Sequence, residues 1–412
     1  TRPRAQRRSP RDRVVSTWSR LSPPLARVAR PALQAVNPVG QAVLVGGVVC
    51  AMLGWRYGWT ELKVLALLFG LSLLVATLWT LGPMAYAARI ELGRSRVTVG
   101  ERAMGRVVVS NSGARSMVGT RFELPVGNGV GSFHVPALAT GVEHEELFAI
   151  PARRRSVLTI GPVRSVKSDP LGLVQRVKRW SESVELFIHP PIVGLNSTTT
   201  GFLRDVEGVT TQNLSSSDVA FHALRDYVPG DDRRSIHWRT TARTGKLMVR
   251  QFEETQRAHH LLILSQRMDD YAGDDEFETA VSVVASLATH ALREERQASV
   301  FTHEGELHFP TPQGLLDRLC RVERTAGADS LAELVTRAVA AVPNASVATI
   351  VAGSTPGPGE LRAGHLRIPL DVRSFAIRCS DVVTPVRRQV ASLIVLDIGA
   401  LDDLPRAIRT LR

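Results

Sequence analysis

The chain has 412 residues, 44% of them hydrophobic, enough for two or three domains with substantial cores, which excludes an intrinsically disordered protein. The net charge of +12 is concentrated in residues 1–38, where nine arginines face one acid, Asp12, leaving only +4 for the rest of the chain. A basic tail on a nearly balanced body points to a membrane surface, and no nucleic acid is expected as a partner, because a nucleic-acid groove needs its charge on one folded face. Cys50, Cys320 and Cys379 are widely spaced with no CxxC, so no disulfide framework and no zinc site are expected, consistent with a reducing compartment.

Residues 1–38 are rich in Arg, Pro and Ser with little apolar periodicity and read as a disordered basic cytoplasmic tail. The start at Thr1 rather than methionine reads as a trimmed chain. Two uncharged apolar runs follow, 39–55 and 64–81, which as helices span about 26 Å each, within the range of transmembrane segments. Residues 39–88 therefore read as a two-helix transmembrane hairpin joined by a tight connection over 56–63. Trp55, Tyr57 and Trp59 would lie at one interface, Trp79 and Tyr86 near the other. Gly47 and Ala51, four apart, would let the helices approach closely. A cleaved signal peptide fits less well, because a long basic tail precedes the first run and no A-x-A site follows it. Nine arginines before the first span, and Arg89, Arg94 and Arg96 after the second, outweigh Arg56 and Lys63 between them. Both termini are expected in the cytoplasm, the spans crossing a bacterial plasma membrane twice.

Over 89–190 the texture becomes short β-runs (106–109, 120–124, 146–150, 156–160, 184–188) separated by Gly, Asn, Ser and Pro, the pattern of an antiparallel β-sandwich. The Arg153-Arg154-Arg155 run is expected to be a solvated edge that discourages strand pairing. Residues 191–257 read as a linker, up to about 218, followed by a charge-dense segment. In that segment Pro229-Gly230 marks a turn, Asp231 or Asp232 stands as an N-cap, and Gly245 closes a short helix, with a strand expected over 246–252. From 258 to 412 strands (261–264, 299–302, 347–351, 393–397) alternate with helices (276–292, 315–322, 331–342 and the C-terminus), which implies a mostly parallel α/β sheet covered on both faces.

The run LRDYVPGDDRRSIHWRTTARTGKLMVR resembles the signature of the domain of unknown function fifty-eight family, carried by Arg225, Tyr227, Gly230, Asp231, Arg233, Ile236, His237, Trp238, Ala242, Arg243 and Leu247. The two N-terminal runs, Ile160-Gly161-Pro162 and the segment SDPLGL at 168–173 fall in the matching order. The resemblance implies a von Willebrand factor type A-like (Rossmann-like) domain over 258–412. It also implies a membrane protein associated with MoxR-type AAA+ ATPases and with the assembly or maturation of other proteins. Two departures stand out. Metal-binding type A domains carry D-x-S-x-S after the first strand, whereas this chain has Ser265, Arg267 and Asp269, so no metal and no cofactor are expected. Ser156 replaces the glycine that relatives carry after the arginine run.

Asp231, Asp232 and His237 form a hydrolase or ligase alternative. On one helix, however, five-residue spacing separates Asp232 and His237 by about 140°, and Asp231 converges no better. The structural reading has Asp232 as a cap, Trp238 in the core, His237 hydrogen-bonded, and the arginines paired with Asp226, Glu253 or Glu254. Arg233, Arg234, Arg239 and Arg243 offer guanidinium forks to an anion or an acidic partner. No HExxH or GxSxG is present, the GSTPGPG loop at 353–359 lacks the following Lys-Ser/Thr of a phosphate cradle, and His259-His260 are expected at a strand rim.

Overall fold

The computed structural model describes residues 37–81, 84–195, 214–215, 220–253 and 259–411. The expected basic tail up to residue 36 and the linker over 196–213 lie outside the described residues. The chain divides into two compact units. The first comprises Thr1–Ser95, Arg102–Pro151 and Leu158–Leu186, and the second Arg96–Glu101, Ala152–Val157 and Phe187–Arg412.

The first unit opens with helices α1 (Pro38–Tyr57) and α2 (Thr60–Thr80), both long and apolar enough to cross a membrane. Each is longer than its apolar run, so the connection is Gly58-Trp59 rather than the eight residues expected, and Gly58 takes the left-handed C-cap conformation at φ 76°. The expected close approach at Gly47 is present: a side chain there would meet Phe69 Cβ at 3.2 Å. Their outward faces are apolar and exposed, as with Leu67, Leu78 and Met52.

The β-rich remainder of this unit holds β1 (Tyr86–Leu92), β3 (Arg102–Asn111) and β6 (Glu143–Pro151) in one antiparallel sheet, β3 central. In a second sheet β4 (Thr120–Val126) pairs with β5 (Gly129–Val135) and β8 (Arg164–Ser168), and β8 with β9 (Gln175–Arg179). Phe122, Leu124, Val107 and Val109 point inward, while Arg106 and Glu145 alternate outward. The five expected runs all lie within strands, 156–160 being β7 (Ser156–Ile160); β1, β5, β8, β9 and a short strand over Arg96–Thr98 are additional. The charged sequence QRVKR of β9 hides its strand character because Arg176 to Arg179 are exposed on both faces and no apolar alternation marks them.

In the second unit β2 (Arg96–Thr98) pairs in parallel with the end of β10 (Val184–His189). The arginine run is a solvated edge only in part: Arg153 and Arg154 are exposed, whereas Arg155 is not. Arg155 is buried, its guanidinium forked on the Glu278 carboxylate at 2.9 and 3.0 Å and donating to the Leu319 carbonyl, while Arg154 pairs with Asp274. A guanidinium leaves water only when its donors are met, and here the run sits beside a helix rich in acids. Residues 191–195, expected as linker, are part of the core: Val193 N–H donates to Ser286 Oγ and Leu195 is buried.

The unit's main sheet runs β16 (Gly305–Leu307), β15 (Gln297–Thr302), β14 (His259–Leu264), β17 (Val347–Ala352), β18 (Arg373–Cys379), β20 (Leu393–Ile398), β19 (Val386–Val390). β15, β14, β17, β18 and β20 are mutually parallel, with antiparallel edge strands at both ends. Leu262 and Leu264 face helices α4 (Asp274–Arg293), α5 (Pro312–Leu319) and α8 (Leu404–Arg409). Leu261 and Ile263 face α6 (Leu331–Ala341) and α7 (Pro358–His365). Apolar residues at successive positions of β14 thus serve both faces, as a central parallel strand requires. The loop expected through 353–359 gives way to α7 at Pro358, whose fixed φ suits a first helical turn. His260 is not at the rim: it is buried with Nε2 2.7 Å from Thr349 Oγ1, and burial lowers its pKa to about 3.

Candidate functional site

The charge-dense segment is an excursion between two paired strands. β12 (Ala220–Asp226) and β13 (Met248–Glu253) run antiparallel, Arg225 opposite Val249 and Asp226 opposite Met248. The ladder continues into the excursion, because Tyr227 N–H donates to the Leu247 carbonyl and His237 N–H to the Met248 carbonyl. Between them the expected single helix is two pieces: a 3-10 turn at Arg233–Ser235 and helix α3 (Trp238–Thr244). Ile236 breaks it, being buried in an extended conformation that bridges to Val249. A buried β-branched side chain and the sheet hydrogen bond outweigh the helical register.

Asp231, Asp232 and His237 each have a structural partner. Asp231 accepts both Arg225 Nη groups, at 2.7 and 2.8 Å, and the Val228 N–H at 2.9 Å. Arg225 and that amide hold its carboxyl below the usual carboxylate range. Asp231 N–H returns to the Val228 carbonyl across the Pro229-Gly230 turn, where Gly230 sits at φ 115°. Asp232 caps the 3-10 turn through Arg234 N–H at 2.9 Å. His237 caps α3: Thr240 N–H donates to its Nδ1 at 3.3 Å, and the Thr240 hydroxyl lies 2.7 Å from the same atom. Gly245 ends the helix at φ 70° as expected.

The arginine pairing differs from the expectation, since Arg225 takes Asp231 rather than Asp226. Trp238, expected in the core, is 65% exposed on the first turn of α3, and Arg233, Arg234, Arg239 and Arg243 are exposed beside it in sequence. α3 has only seven residues and buries none of them; the buried apolar residue of the excursion is Ile236, ahead of the helix. Asp231, Asp232 and His237 are thus each bound to a different neighbour, and the segment assembles no acid–base set.

A second polar cluster lies at the carboxyl end of β14, where open α/β sheets place ligands. Ser265 Oγ donates to Asp270 Oδ2 at 2.5 Å, and the Tyr271 hydroxyl donates to the Ser265 carbonyl at 2.6 Å. Burial raises the Asp270 pKa. Of the three positions singled out from sequence, Ser265 and Arg267 are here, with Arg267 N–H donating to Ser265 Oγ at 3.3 Å. Asp269 points outward to Arg267, and the inward carboxylate is the adjacent Asp270, which the D-x-S-x-S spacing passes over. The Gly353 backbone packs so closely on Asp270 and Tyr271 that a side chain there would meet the Tyr271 ring at 2.5 Å. A hydroxyl already donating to the carboxylate and a nearby guanidinium make a poor donor set for a hard cation. Among the described residues no group of three or more His, Cys, Asp or Glu is placed to hold a metal.

Sequence reasoning missed two further charged sites. Asp397 is buried between Arg388 at 2.7 Å and Arg378 at 3.6 Å. A cleft of 480 Å³ is lined by Arg154, Arg155, Asp274, Glu278, Arg321 and Arg324, with Asp274 held by both Arg154 and Arg324. No spacing rule signals either, because their partners are distant in sequence.

The family described as protein of unknown function DUF58 matches residues 223–344, from β12 through α6. The uncharacterized protein YeaD of Bacillus subtilis (strain 168) is 29% identical over 155 residues, so the match spans 37% of this chain and 37% of that relative. Among solved structures, the CARDB domain of a Pyrococcus furiosus protein is similar over 25% of this chain and 91% of its own, at 14% identity and a TM-score of 0.20. A β-glucosidase from Listeria innocua in complex with glucose is similar over 26% of this chain and 17% of its own, at 12% identity and a TM-score of 0.18. Scores this low carry no functional argument. Over residues 223–344, less than a third of its length, the chain is therefore similar to the DUF58 family of proteins of unknown function.

Proposed function

We propose that the chain is a two-pass, membrane-tethered cytoplasmic scaffold of a bacterial plasma membrane, with both termini in the cytoplasm. Its signature excursion docks an acidic surface of a partner protein. The observation that carries this is the division of labour within the excursion. Asp231, Asp232, Arg225 and His237 are consumed in holding its shape, whereas Trp238 stands exposed in a sequence bearing Arg233, Arg234, Arg239 and Arg243. An exposed tryptophan accompanied by guanidinium groups is the composition of an interface hot spot. The parallel sheet supports the von Willebrand factor type A-like reading, and the family resemblance makes a MoxR-type AAA+ ATPase the partner of choice, in the assembly or maturation of other proteins.

The test is co-purification of the tagged full chain in mild detergent, with ATP or with ADP. The expected result is recovery of a MoxR-type ATPase, reduced at least tenfold by Trp238→Ala or by Arg239→Glu with Arg243→Glu, at unchanged melting temperature. Recovery of no ATPase under either nucleotide, or recovery indifferent to these substitutions, overturns the proposal.

A further inference from the structure

The loop between β8 and β9, the SDPLGL segment, has no part in the excursion, yet its construction is unusual. Much of its backbone is hydrogen-bonded, four of its N–H groups finding partners inside the loop. Asp169, itself buried, accepts Leu171 N–H at 2.9 Å and Val174 N–H at 2.7 Å; Gly172 N–H donates to the Asp169 carbonyl, and Asp169 N–H to that of Val174. Pro170 has no N–H to satisfy. Two carbonyls are met by the start of α1: Asn37 N–H donates to Leu173 and Asn37 Nδ2 to Gly172, both at 3.0 Å. Irregular backbone can sit at membrane depth only when its polar groups are met in this way.

The loop also lies at that depth. Leu173 and Val174 pack with Val43, Leu73 and Ala76, all inside the apolar runs rather than at their ends. At 1.5 Å per residue, Leu73 lies about 12 Å and Ala76 about 7 Å along α2 before Leu81, and Val43 about 7 Å into α1. A loop touching these residues cannot stand clear of a bilayer that α1 and α2 cross. Leu171 nevertheless projects from it 69% exposed, without protein cover. The strands leading into the loop carry Lys167, Arg176, Lys178 and Arg179, with Val177 48% exposed and Lys178 over the Trp180 ring at 4.0 Å. An apolar tip below a basic, aromatic collar matches the layering of an anionic leaflet.

We propose that the 168–174 loop is a third membrane-contacting element, with Leu171 in the acyl region and Lys167, Arg176, Lys178 and Arg179 on anionic headgroups. The assignment rests on α1 and α2 crossing the membrane. It is tested on the full chain in nanodiscs of phosphatidylcholine with or without phosphatidylglycerol. A nitroxide is placed at Leu171→Cys, and separately at Pro170→Cys, with Cys50→Ser; the remaining Cys320 and Cys379 are buried. Collision with oxygen and with a water-soluble nickel chelate reports immersion, and Leu147→Cys, 72% exposed on β6, serves as the reference.

The expected ratio of oxygen to nickel collision is at least fivefold higher at 170 and 171 than at 147. In phosphatidylglycerol discs alone, Arg176→Glu with Arg179→Glu lowers it at least twofold. A ratio at 170 and 171 equal to that at 147 overturns the proposal, and an equal effect of the charge reversals in both lipids overturns its headgroup part. Alkaline carbonate extraction of native membranes separates the two readings. Protein that resists extraction while 171 meets the nickel chelate leaves the tether standing and this inference refuted; protein that is extracted refutes both.

Discussion

Arg155 and His260 show opposite ways of burying an ionisable group. Arg155 is buried against a counter-charge, with Glu278 and the Leu319 carbonyl occupying its donors. Removing the charge of Glu278, which keeps about a third of its side chain in water, leaves a guanidinium buried without its counter-charge. Glu278→Gln is therefore expected to cost about 2 kcal/mol, below the range for fully buried pairs, and to lower the thermal midpoint by several degrees. His260 stays neutral instead. Its unfolded form takes up a proton below about pH 6.5, while the folded form does so only near its lowered value of about 3. The unfolded state thus binds the extra proton between these values. Stability is fully present above about pH 6.5 and is lost as pH falls toward 3. Thermal melts should show a midpoint falling between pH 6.5 and 4, and His260→Gln should flatten that fall; an unchanged slope would refute the assignment.

At the scale of elements, what was legible followed period and what was hidden followed partners. β14 and α4 were readable because a continuous apolar run and a 3.6-residue stripe each imply burial without reference to anything else. The helix expected across 231–244 was not, because Ile236 answers to Val249 across the sheet. Trp238, expected in the core, lies exposed because the short α3 buries none of its residues. The shape of the excursion depends on Asp231 as a hub for Arg225 and Val228. Asp231→Asn is expected to speed amide exchange at Val228 and at the Tyr227 and His237 ladder positions, leaving the β14 amides unaffected; unchanged exchange would show the hub to be dispensable. At the carboxyl end of β14, Gly353→Ala should cost about 1–3 kcal/mol by overpacking Tyr271. Calorimetry there should detect no Mg²⁺ site sensitive to Ser265→Ala; tight binding abolished by that change would restore a metal to the cluster.

For the whole molecule, the proposed tether fixes a direction that can be checked. With Cys50→Ser, a cysteine at Trp59, in the α1–α2 turn, should react with a membrane-impermeant maleimide on intact cells. A cysteine at Leu147 should react only after permeabilisation. The reverse pattern would invert the topology and place the signature excursion out of reach of any cytoplasmic ATPase.

The two apolar helices, the β-rich and alternating regions and the likeness to the DUF58 family are legible in the residues, because these depend on composition, local periodicity and a contiguous motif. Tertiary structure alone decided that Arg155 is a core residue, that Asp270 rather than Asp269 turns inward, that Trp238 is outside, and that the SDPLGL loop lies beside α1 and α2. Each of those outcomes is set by a partner far away in the chain, and burial of charge or apolar surface is a property of the pair, which no single stretch of residues encodes.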